Sequence, residues 1–178
     1  LNVHGCTKLT DVRAVAANCP RLAKLDVSNC ESLTDASLAA VAASCPNLVE
    51  LNAQRARITD ATVQALAENC AHLAVLMCEY ANLTDRALAA LANNCSSLTG
   101  LSIPSCDLTA LPDNIGKLSK LRWLDASDNK LKELPRSVIY LDAACQLSVY
   151  RNPLETPPFD IADQGIPAIR HYFQTLVA

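Results

Sequence analysis

The chain has 178 residues, is 51% apolar and carries a formal net charge of −3 from 15 basic and 18 acidic residues. Basic residues are outnumbered in both halves, 7 to 9 before position 101 and 8 to 9 after it, so general binding to nucleic-acid phosphates is not expected. No apolar run approaches the length that crosses a bilayer, and with only 4% aromatics the core must be built from Leu, Ala and Val.

Cys19, Cys45, Cys70 and Cys95 are spaced 26, 25 and 25 residues apart, and the segments they open resemble one another. Each begins with an L-x-x-L-x-L core. Leu22, Leu25 and Val27 predict a short strand with alternate side chains inward, repeated at Leu48, Leu51 and Ala53 and at Leu73, Leu76 and Cys78. Thr34-Asp35, Thr59-Asp60 and Thr84-Asp85 follow as helix starts whose side chains can accept from the first free amides. The helices behind them set Leu38 and Val41, Val63 and Leu66, and Leu88 and Leu91 on one face, with alanines that let neighbours stack closely. A period in this range with this core signals leucine-rich repeats. The expected fold is an α/β leucine-rich-repeat solenoid, a curved horseshoe segment with parallel strands inside and helices outside.

From Cys106 the repeat shortens. Leu101, Leu124 and Leu147 stand 23 residues apart, and Leu111-Pro112 and Leu134-Pro135 replace the Thr-Asp starts. Proline there disfavours a regular helix, so the outer wall should become extended or 3₁₀. About seven layers are expected over residues 1–152, and residues 153–178 should cap the stack. Pro167 should open the capping helix at its first position, with Ile166, Ile169, Phe173 and Leu176 on the buried face and Tyr172 and Val177 at its edge. The chain starts inside a repeat at Leu1 with no matching cap, which points to a truncated N-terminal end.

Nine cysteines at equivalent repeat positions suggest buried free thiols, not bridges. The expected compartment is therefore reducing and cytoplasmic, although the sequons Asn82-Leu83-Thr84 and Asn94-Cys95-Ser96 leave an extracellular recognition module as an alternative. Stacked equivalent cysteines form a line, whereas zinc needs four converging donors, so no metal or other cofactor is expected. Catalysis is not expected either. His4, His72 and His171 fall in the first layer, a turn and the cap, and no phosphate loop or nucleophile motif occurs.

The positions flanking the inward leucines should line the concave face. One column reads Lys24, Glu50, Val75, Gly100, Trp123 and Gln146; the next includes Asp26, Asn52, Met77, Ser102 and Asp125. Val75, Met77, Tyr80, Pro104 and Trp123 form an apolar strip, rimmed by Glu50, Arg55, Glu79, Asp125 and Asp128, with Tyr150 and Arg151 further along. Trp123 and Tyr80 lie two strands apart, roughly 10 Å at strand spacing. An aromatic centre with a charged rim suits a protein partner.

Residues 6–106 resemble the cysteine-containing repeats of F-box proteins, with the pattern matched almost fully at Cys19–Ala42 and the ladder cysteine at Cys6, Cys30 and Cys106 but not at Ala56 or Ala81. Residues 107–152 look like the common 23-residue repeats, and the tail from Asn152 to Phe173 is similar to the segment closing the repeats of Roco-type proteins. The resemblance implies a protein–protein interaction module, the recognition arm of a larger intracellular protein. The alternative it leaves is a regulatory or scaffold segment within a multidomain enzyme, a GTPase or ubiquitin-ligase chain.

Overall fold

Leucines at alternate positions drive six three-residue strands into one parallel sheet, in the computed structural model that describes residues 1–176. The strands are β1 Lys24–Asp26, β2 Glu50–Asn52, β3 Val75–Met77, β4 Gly100–Ser102, β5 Trp123–Asp125 and β6 Gln146–Ser148. They pair in chain order, so Leu25, Leu51, Leu76, Leu101, Leu124 and Leu147 share one register. The first layer joins the sheet only through a bridge from Asn2 to Asp26. Every central leucine up to Leu124 is buried, and Leu147, in the last strand, is partly covered.

The outer wall is built as expected from two materials. Helices α1 Arg13–Asn18, α2 Asp35–Ser44, α3 Asp60–Asn69 and α4 Asp85–Asn94 back the first four layers. After the junction their places are taken by 3₁₀ turns at Ile115–Lys117 and Arg136–Tyr140. Among the described residues no helix is long and apolar enough to cross a membrane.

The helix-start residues act differently from the sequence expectation. Only Thr59 caps its own helix, accepting from Ala61 N at 3.3 Å. The aspartates instead reach forward one layer. Asp35 accepts from Thr59 N at 2.9 Å, Thr59 Oγ1 at 2.8 Å and Thr62 Oγ1 at 2.6 Å, and Asp60 takes the amide and hydroxyl of Thr84. Burial alone would raise the Asp35 pKa, but the bonds from Thr62 and Thr59 outweigh it and hold the carboxyl below its ordinary value. The motif is therefore a stitch between helices.

The cysteines close the helices on the opposite end. Cys45, Cys70 and Cys95 donate their amides to Val41, Leu66 and Leu91 at the helix C-caps. The Cys45 thiol reaches Cys19 O at 3.4 Å, and the Cys70 thiol reaches Ala42 O at 3.6 Å. Cys106 lies under the sheet exit with Sγ on Cys78 O at 3.2 Å, the place taken in later layers by Asn129 and Asn152. Not every thiol is buried: Cys6 and Cys19 are exposed because no layer covers their side of the stack.

At the far end, α5 Phe159–Ala162 and α6 Ile166–Thr175 cover the last layers. Ile166, Ile169 and Phe173 are buried, and Arg170 clamps α6 to Ile139 O at 2.7 Å. Two details differ from expectation. Pro167 is the second helical residue, behind a Gly165 N-cap with φ +86°, and Leu176 follows the helix end and is 54% exposed. Val177 lies outside the described residues.

Candidate functional site

The strand register places the expected columns on one face. Lys24, Glu50, Val75, Gly100, Trp123 and Gln146 are direct neighbours across the sheet, as are Asp26, Asn52, Met77, Ser102, Asp125 and Ser148. Val75, Met77, Pro104 and Trp123 are half-buried, while Tyr80 and Tyr150 are exposed at 52% and 55%.

Trp123 does not project from the sheet. A Cβ built on Gly100 would lie 2.2 Å from its Cζ2 and 2.3 Å from its Cε2, so the indole rests flat on the bare backbone of β4. Any larger residue at 100 would displace it. Glycine here is a notch, and the ring fills it while leaving its outer surface open. The ring bounds a cavity of about 630 Å³ at the strand-entry side, shared with Thr99, Lys120, Arg122, Asp142 and Gln146. A second cavity of about 240 Å³ runs between β5 and β6, bounded by Trp123, Asp125, Gln146 and Ser148.

Tyr80 belongs elsewhere. Its amide donates to Pro104 O and the amide of Ser105 to Ser127 O, so Tyr80 is aligned with Asp128, five residues beyond Trp123. Five residues at ~3.3 Å and two strand spacings of ~4.8 Å put the two aromatics about 19 Å apart. The single strip expected from sequence is therefore two anchors, one at strand entry and one at strand exit. The 10 Å expectation counted the layers and omitted the displacement along the strands.

The exit side is a ridge with an unusual backbone. Asn29, Arg55, Tyr80, Ser105, Asp128 and Arg151 all have φ between +53° and +58°, and Gly5 holds the same place in the first layer at +72°. Their amides form a second inter-layer ladder, including Asn29 N to Gln54 O at 2.8 Å, Arg55 N to Glu79 O at 3.0 Å and Asp128 N to Tyr150 O at 2.9 Å. That ladder holds ordinary residues in a left-handed conformation they rarely adopt alone. Arg55 stacks over the Tyr80 ring at 5.1 Å, and Arg151 stacks over Tyr150 at 5.3 Å while approaching Asp128 at 3.4 Å.

Several rim charges are thereby occupied. Glu50 pairs with Lys24 at 2.7 Å, and Asp125 accepts from Ser127 Oγ at 2.6 Å through one oxygen. No ion pair engages Glu79 among the described residues. In the first layers His4 Nδ1 meets Ser28 Oγ at 2.7 Å, and Ser28 donates to Asp26 at 2.6 Å. The serine, 3% exposed, sits between the other two. A nucleophilic triad needs the histidine in the middle, so this cluster ties layers together.

The strand-entry cavity was missed by sequence reasoning because its floor depends on where the Trp123 ring lies. A signal did exist: Lys117, Lys120, Arg122, Lys130, Lys132 and Arg136 put six basic residues in positions 117–136, against Asp125, Asp128 and Glu133. On the convex side, a separate recess of about 370 Å³ lies beside Tyr140, which is 69% exposed.

No protein-family model and no curated protein sequence matches the chain. Solved structures do. An internalin, inlF of Listeria monocytogenes, is 25% identical with a TM-score of 0.69 over 89% of this chain and 42% of its own. A PEPR1–AtPEP1 structure gives 22% identity and a TM-score of 0.57, covering 83% and 22% of the two chains. A leucine-rich-repeat protein of Leptospira interrogans gives 16% and 0.51, covering 87% and 49%. The chain spans less than half the length of these proteins. The register, the stacked leucine core and these neighbours together make the fold an α/β leucine-rich-repeat solenoid.

Proposed function

We propose that this chain binds a protein partner on its concave strand face, through the Trp123 cleft and the Arg55–Tyr80 ridge. The observation that carries the reading is the indole laid over Gly100 with a cavity on either side. A rigid aromatic in a ready-made recess, with exposed aromatics along the same face, is the composition of an interface hot spot. Recognition, not catalysis, is the chemistry these side chains support.

Partner capture should weaken by ~2 kcal/mol, roughly 30-fold, on Trp123→Ala and on Tyr80→Ala. Gln64→Ala and Tyr140→Ala, on the convex side, should leave it unchanged. Affinity purification with the native partner, retained by both concave variants but lost on Tyr140→Ala, would move the site to the convex recess.

The larger context of this proposal is the recognition arm of a longer cytoplasmic protein. The F-box-like pattern of residues 6–106 and the Roco-like closing segment support it, as do nine free thiols. The open reading frame decides it: an F-box before Leu1 or a nucleotide-binding motif after Ala178 identifies the parent, and a secretion signal upstream overturns the compartment.

A further inference from the structure

We infer that the partner segment seated at the strand-entry side is acidic, setting an Asp or Glu carboxylate between Lys120 and Arg122 with an adjoining apolar side chain against the Trp123 indole. This rests on the concave-face reading and specifies its chemistry. Lys120 and Arg122 are both exposed at the mouth of the 630 Å³ cavity. None of the ion pairs among the described residues uses either of them.

Other polar groups around the cavity are already committed. Thr99 donates its hydroxyl to Ala74 O at 3.0 Å, and Asp142 accepts from Ala144 N at 2.7 Å. The cations left over therefore set the sign of the site. Elsewhere on the face each cation has a partner: Lys24 has Glu50, Arg55 has the Tyr80 ring, and Arg151 has Asp128. Two unpaired cations beside a flat aromatic wall fit a carboxylate next to an aliphatic or aromatic group, since a guanidinium can hold a carboxylate through two parallel bonds.

The surroundings narrow the partner further. The whole chain is acidic, with a pI near 5.5, so an acidic segment is disfavoured elsewhere on its surface and favoured here. A nucleic acid would need a continued row of cations along its phosphates. The row here stops after two, with Asp142 and Asp125 on either side.

Selection of a random heptapeptide display library on the 178-residue chain tests this. Wild type should enrich Asp or Glu beside Leu, Ile, Phe or Trp, and the Lys120→Glu/Arg122→Glu double variant should switch the preference to Lys or Arg. Synthetic copies of the enriched peptides are then titrated by the emission of Trp123, the only tryptophan. Their Kd should rise about tenfold in the double variant, whose thermal unfolding should match wild type because both residues are exposed. No enrichment, or the same sequences from both proteins, overturns the acidic partner. If such peptides still lose affinity on Trp123→Ala, the concave reading survives alone; if they ignore that change as well, both fail. Single-stranded oligonucleotides binding with the same dependence on Lys120 and Arg122 would also overturn it.

Discussion

Gly100→Ala isolates the contact on which the strand-entry site is built. The added methyl would lie 2.2 Å from Trp123 Cζ2, whereas carbon atoms in contact stay about 3.5–4.0 Å apart, so the ring must move by roughly 1.5 Å or swing off the sheet. Complete loss of a buried aromatic costs ~3–5 kcal/mol. Trp123 is only half-buried, which brings the loss nearer 1–2 kcal/mol. The backbone at Gly100 is an ordinary strand, so alanine itself returns ~0.4–1 kcal/mol by restricting the unfolded chain. The net expectation is a destabilisation of about 1 kcal/mol or less, with a clear red shift of tryptophan emission. A double-mutant cycle separates the two effects. In a Trp123→Ala background, Gly100→Ala should be neutral or stabilising. Unchanged emission, or the same destabilisation with and without the indole, would refute the notch.

Two further outcomes follow from the cap and the thiols. Ile169→Ala and Phe173→Ala each remove a buried side chain of the cap and should cost ~2–5 kcal/mol. In a stack of nearest-neighbour layers, hydrogen exchange should then accelerate first between Asn129 and Asn152; equal acceleration in Cys19–Asn94 would contradict local coupling. Alkylation of the native protein near pH 8 should label Cys6 and Cys19, the exposed thiols. Burial pushes Cys70, Cys95, Cys106 and Cys145 up to about 11, so they should react only on unfolding. Non-reducing denaturation should yield all nine, and a stable bridge would overturn the free-thiol state.

The layers were readable from sequence because each repeats the same leucine spacing, and a strand that must bury alternate residues has one register open to it. The change of outer wall was equally plain, since Pro112 and Pro135 remove the donors a helix start needs. What escaped was everything that one layer does to the next. Thr34-Asp35 reads as a capping motif by itself, and only the stack reveals that Asp35 serves Thr59 and Thr62. Trp123 was placed on the correct face, but its posture depends on Gly100, 23 residues earlier and adjacent only through strand pairing. The two aromatics merged into one strip because layer counting has no coordinate along the strands. The left-handed ridge was hidden because Arg55, Tyr80 and Arg151 are not residues that announce such a turn, while Gly5, Asn29 and Asp128 are.

That ridge sets stability and recognition against each other at the same atoms. Glycine accepts its left-handed backbone without strain, so a stack under selection for folding alone would gain up to about 1 kcal/mol at Tyr80 or Arg55 by drifting toward the residue already present at Gly5. Branching at Cβ is the other boundary, because valine, isoleucine or threonine would be genuine outliers there. The column is thus confined to a narrow alphabet of unbranched, long or aromatic side chains. A variant library aimed at new partners has its range drawn by the backbone: Lys, Gln, His, Phe and Trp are open at Arg55, Tyr80, Asp128 and Arg151, and the β-branched residues are closed.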